Sequence, residues 1–111
     1  MIDKGLVSGS TTLLILSLLS DKDMYGYEMI ETLAKRSQNV FELKTGTLYP
    51  LLHQLVKAGH LTSYETEVKG KKRKYYQLTA TGRLFLEEKI KEWETYSSTV
   101  TDILGGVTYG Y

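Results

Sequence analysis

The chain of 111 residues has no cysteine, one proline, one tryptophan and two histidines. Without cysteine there is no disulfide framework, no thiol nucleophile and no thiolate zinc site. Long apolar runs are missing as well: the longest, LLILSLL at residues 13–19, is far short of the roughly 20 residues that cross a bilayer. Asp3 sits beside Lys4 near the start, and the apolar run ends in the charged SDKD of residues 20–23, which does not fit a secretory leader. A cytoplasmic location with no membrane partner is therefore expected. There is no glycine-rich phosphate loop, no Ser/His/Asp set and no paired-carboxylate site, so a hydrolase or transferase is not expected and no cofactor is implied. His53 and His60 stand seven apart, with neither cysteines nor convenient carboxylates to complete a metal site, and none is expected.

What is present suits one small globular domain: 41% of the residues are hydrophobic and 24% charged. A domain of this size leaves much of its surface open, and a long apolar helix in it commonly completes its core against a second copy. Homodimerisation is expected on that ground. Net charge is only +1, but its distribution is uneven. Lys57, Lys69, Lys71, Lys72, Arg73 and Lys74 face only Glu65 and Glu67 within one stretch, whereas Glu87, Glu88, Glu92, Glu94 and Asp102 outnumber Lys89 and Lys91 in a later one. The molecule is electrically polarised.

Residues 11–20 are apolar on nearly every side and read as a short enclosed helix. After the polar break SDKDM, Tyr27, Ile30, Leu33 and Ala34 recur at helical spacing over residues 25–37. Residues 45–58 form a one-faced amphipathic helix: Leu48, Leu51, Leu52, Leu55 and Val56 make one side, Tyr49, Pro50, His53, Gln54 and Lys57 the other, and Gly59 supplies the stop. Pro50 is harmless in a first turn capped by Thr47 but removes a hydrogen bond from a helix starting at Thr45. Two β-prone runs then flank the turn in KGKKRKYY at residues 69–76, predicting a hairpin with Gly70 at or near its tip. Alternation sends one of Tyr75 and Tyr76 to the core and the other to the open face. In the last helix, over residues 81–105, Leu86, Ile90, Trp93, Ser97, Val100 and Leu104 form a coiled-coil-like stripe, and GVTYGY at 106–111 reads as a flexible tail.

This order of elements predicts an α+β, mainly α, winged helix-turn-helix: a DNA-binding region over residues 1–80 with a two-stranded β-wing, then a long C-terminal dimerisation helix packed with the N-terminal one. Alone, a basic turn is a solvated turn; at a wing tip, Lys69, Lys71, Lys72, Arg73 and Lys74 bind phosphates without reading bases. Base reading falls to the polar face of the third helix, where Gln54 can pair with adenine, His53 can donate or accept, Tyr49 can stack or meet a phosphate, and Thr47 can meet a phosphate or a thymine methyl. Lys44, Thr45, Pro50 and Lys57 complete that face.

YGYEM at residues 25–29, GTLYPLLHQL at 46–55, AGHL at 58–61 and KGKKRKYYQLTATG at 69–82 resemble the signature of the PadR family of bacterial transcriptional regulators, and the short end in DILGG resembles its small branch. The resemblance implies a winged-helix homodimer, joined through its C-terminal and N-terminal helices, that represses genes from an inverted-repeat operator. It also places Tyr25 and Tyr27 with Tyr49 in the DNA-facing set, although packing of the second helix explains Tyr25 and Tyr27 equally well. The dimer seam would take Leu13 and Leu16 with the C-terminal stripe. Trp93 fills that seam on the simpler reading; as the family's multidrug-sensing branch implies, Trp93 and Tyr96 would instead receive a small aromatic effector. The alternative function is a winged-helix protein-interaction module that holds an acidic partner on its basic wing.

Overall fold

The structure, a computed structural model, describes residues 4–108, with side chains described at residues 10–105. Its elements are α1 (Lys4–Asp21), β1 (Met24–Tyr25), α2 (Gly26–Arg36), α3 (Thr45–Lys57), β2 (Leu61–Val68), β3 (Lys71–Leu78) and α4 (Ala80–Thr108). The strands form one antiparallel sheet in the order β1-β3-β2. It is a mainly helical winged helix whose wing is the β2–β3 hairpin.

Burial explains the order of layers. Ile15, Leu16, Leu18 and Leu19 of α1 are enclosed by Met29 and Leu33 of α2, by Leu48, Leu52 and Leu55 of α3, and by one face of the sheet. That face carries Met24, Leu61, Tyr76 and Leu78, and Leu86 of α4 closes the core. The all-round apolar character of α1 is thus that of a helix covered on most sides. The alternation expected at the end of the hairpin holds: Tyr76 is buried and Tyr75 lies on the outer face.

Helix ends follow local chemistry. At the end of α3, the His60 N–H bonds the Leu55 carbonyl at 2.9 Å and the Gly59 N–H bonds that of Val56 at 3.0 Å, with Gly59 at φ +84°. This is a Schellman stop, which favours glycine at the left-handed position. Between β2 and β3, Val68 pairs with Lys71, leaving a two-residue turn of Lys69 (φ 53°) and Gly70 (φ 80°). Two positive φ values in succession define the type I′ turn, whose twist matches that of the strands.

Three boundaries differ from the sequence reading, and one left open is decided. The helix begun at residue 11 extends back to Lys4. The break before α2 contains β1, which pairs Met24 with Tyr76 and Tyr25 with Tyr75, so the wing hairpin belongs to a three-stranded sheet and α2 starts at Gly26 rather than at Tyr25. Of the two starts left open for the third helix, the structure has Thr45, with Lys44 as its cap, so Pro50 lies inside it and one intrahelical bond is missing. Finally, α4 runs through 106–108 as helix, and only 109–111 of the expected tail lie outside the described residues.

Candidate nucleic-acid interface

The amphipathic spacing of α3 buries Leu48, Leu52 and Leu55 and so turns its other side outward. Lys44, Thr45, Thr47, Pro50, His53, Gln54 and Lys57 are all exposed. Gln54 sits at a border, since with Leu51 it also lines a cleft between α1, α3 and α4. Tyr49 is half-buried, and its ring end occupies the place where a side chain on Gly26 would stand. That contact docks α3 onto the start of α2. Tyr27 is 58% exposed, whereas Tyr25 stands just before α2 as its N-cap and pairs with Tyr75 in the sheet.

On the wing, Lys69, Lys71, Lys72 and Lys74 are exposed. The register sets Lys72 opposite Glu67 and Lys74 opposite Glu65, so these two lysines share one face with carboxylates. Arg73 is different: it points to the outer face, half-buried, with its guanidinium carbon 4.3 Å from the centroid of the Tyr25 ring. Tyr25 meets Tyr75 edge-on at 5.5 Å, and Tyr75 stacks on Tyr64 at 5.7 Å. The Tyr64 hydroxyl donates to Asp23 Oδ2 at 2.7 Å, and this bond holds its phenol above the ordinary value of 10. Tyr76, on the core face, is also raised, first by burial and then by the nearby Tyr49 hydroxyl.

The apolar stripe of α4 divides in two. Leu86 is 7% exposed and Leu16 of α1 is fully buried, both within the chain's own core, so neither has surface to offer the partner for which the sequence reading chose them. Leu13, Ser97 and Val100 are half-buried, and Ile90, Trp93 and Leu104 are exposed. Leu84, Tyr96 and Ile103, none of them in the expected stripe, are exposed as well. Trp93 and Tyr96 stand 6.2 Å apart between ring centroids at the mouth of the cleft, whose volume is about 690 Å³. Polar groups that the sequence did not reveal converge there: Gln54, His60, Lys89 and Glu92. His60 stacks on Phe85 at 4.0 Å and 3°, and its Nδ1 is buried without a hydrogen-bond partner among the described residues. Neither His60 nor Phe85 has a local signal for this, because their meeting depends on the α3–β2 corner packing against α4.

Helices α2 and α3, a hairpin wing with a basic tip and a long terminal helix define a winged-helix regulator of transcription rather than an enzyme. The family model described as the transcriptional regulator PadR-like family matches residues 15–88, and the chain belongs to that family. It is 31% identical over 95 residues to the transcriptional regulator Rv3488 of Mycobacterium tuberculosis, covering 86% of this chain and 83% of the relative. A transcriptional regulator from Clostridium thermocellum superposes with a TM-score of 0.85 at 30% identity, over 92% of this chain and 97% of that one. A PadR family regulator from Eggerthella lenta does so at 0.80 and 32%, over 90% and 86%. Among the described residues, no helix is long and apolar enough to cross a membrane.

Proposed function

We propose that the protein is a cytoplasmic, homodimeric repressor that binds an inverted-repeat operator in double-stranded DNA, with one α3 helix in each major-groove half-site and the wings on the flanking phosphates. The observation that carries this reading is the exposed polar face of α3 lying in the same fold as a hairpin tip of four exposed lysines and one arginine. Thr47, His53 and Gln54 supply donors and acceptors for base edges, and Lys57 with the wing supplies sequence-independent affinity. The exposed stripe at Ile90, Trp93 and Leu104 supports pairing through α4. The cleft beside Trp93 and Tyr96 supports an aromatic effector, which would touch α3 directly through Leu51 and Gln54.

Replacing Lys71, Lys72 and Arg73 together by alanine tests the reading. Binding to every duplex should fall by at least a hundredfold, while Gln54→Ala should change which duplex is preferred more than how tightly it is held. A module that grips an acidic protein through its wing would also fail in the triple variant, but would be indifferent to Gln54.

A further inference from the structure

Of the five cations in the basic run, the four lysines stand in solvent and Arg73 alone is half-buried. Its guanidinium carbon lies over the Tyr25 ring, 4.3 Å from the centroid, against 5.8 Å for the Lys74 ammonium over Tyr76. Tyr25 does not hold that position alone. Its ring meets Tyr75 at 71°, Tyr75 stacks on Tyr64 at 11°, and the Tyr64 hydroxyl bonds Asp23, two residues before Tyr25. The contacts run from Asp23 through β2 and β3 back to β1 and close on themselves, so each ring is fixed by the next.

A guanidinium held over a ring by a cation–π contact spends none of its N–H donors on that contact, and its planar fork matches two oxygens of one phosphate. The ordering is accomplished in folding, so little side-chain freedom is left to lose on binding. Glu28 and Glu31 share the groove in front of Arg73 with Lys35 and Lys69, and Glu28 is occupied by Lys22 at 2.7 Å.

We infer that Arg73 is the wing's phosphate clamp and that Tyr25 is the positioning residue that aims it, acting through the stacked guanidinium rather than by touching DNA with its own hydroxyl. The inference rests on the DNA-binding reading above. It separates Arg73 from its lysine neighbours, which act as mobile point charges, and it gives the Tyr25–Tyr75–Tyr64 stack a purpose beyond packing.

The test is a set of fluorescence-anisotropy titrations of a duplex bound by the wild type, over a salt series, with circular dichroism confirming the fold of each variant. Arg73→Ala and Tyr25→Ala should each weaken binding about tenfold and flatten the salt dependence by about one phosphate contact per wing. The double variant should be no weaker than either single one. Tyr25→Phe, which keeps the ring face, should bind like the wild type, and Arg73→Lys should not. Should Tyr25→Ala unfold, Tyr25→Leu carries the same expectation. Loss on Tyr25→Phe equal to that on Tyr25→Ala, or additive losses in the double variant, would overturn the inference. So would wild-type affinity in Tyr25→Ala, with the DNA-binding reading left standing; a wild type with no salt-dependent binding to any duplex would overturn both.

Discussion

Gly26 has no room for a side chain, because the Tyr49 ring lies where its Cβ would stand, and that contact brings α3 close against the start of α2. Burial raises the Tyr76 phenol above its ordinary value, and the nearby Tyr49 hydroxyl adds to the effect. Because the folded state holds the Tyr76 proton more tightly than the unfolded chain does, the stability this contributes is complete below pH 10, the ordinary phenol value, and is lost as pH rises through the raised one. Ultraviolet phenolate absorbance followed with pH should show late-ionising phenols above pH 10, one fewer in Tyr76→Phe than in the wild type, and unfolding should accompany the Tyr76 step. At this scale the sequence was partly legible. The polar residues of α3 could be named from their spacing, but not the burial of Tyr49 or the seat of Arg73 on Tyr25, since both depend on partners brought near only by the tertiary fold.

Among the elements, α4 shows most clearly how one residue starts a helix. The Thr79 hydroxyl accepts the Gly82 N–H at 2.9 Å and donates to the Gly59 carbonyl at 2.7 Å, so it caps α4 and ties it to the end of α3. Gly82 has no space for a Cβ against the His60 carbonyl, which keeps the two ends in contact. Thr79→Ala should lower the free energy of unfolding by about 1 kcal/mol in a denaturant titration, and Thr79→Ser should recover most of it. The main helices and the hairpin were legible because each repeats its period several times or ends on a glycine suited to a left-handed turn. Strand β1 was not: two residues carry no period, and Met24 and Tyr25 become a strand only because β3 offers them a partner. Helix α4 was read correctly as an apolar stripe, but a stripe alone does not tell whether its own chain or another covers each position. Leu86 turned inward and Trp93 outward.

The whole molecule is longer than its chain length requires. Its radius of gyration is 16.2 Å, where a compact chain of this length has about 13 Å, and the principal extents of 60 × 29 × 21 Å follow from α4 reaching beyond the core. Exposed Ile90, Trp93, Tyr96, Ile103 and Leu104 along that reach form the face offered to a second copy in the proposed dimer. Two wings would then act on one operator, and about six cations placed on phosphates give a log-log salt slope near −5. The most direct test of the central claim is fluorescence-anisotropy binding of the purified protein to DNA from upstream of its own gene, beside a scrambled duplex, at two salt concentrations. An operator-binding regulator should hold the native fragment more tightly, with that steep salt dependence. Equal and weak binding to both duplexes would contradict it and leave the wing a basic surface for some other partner.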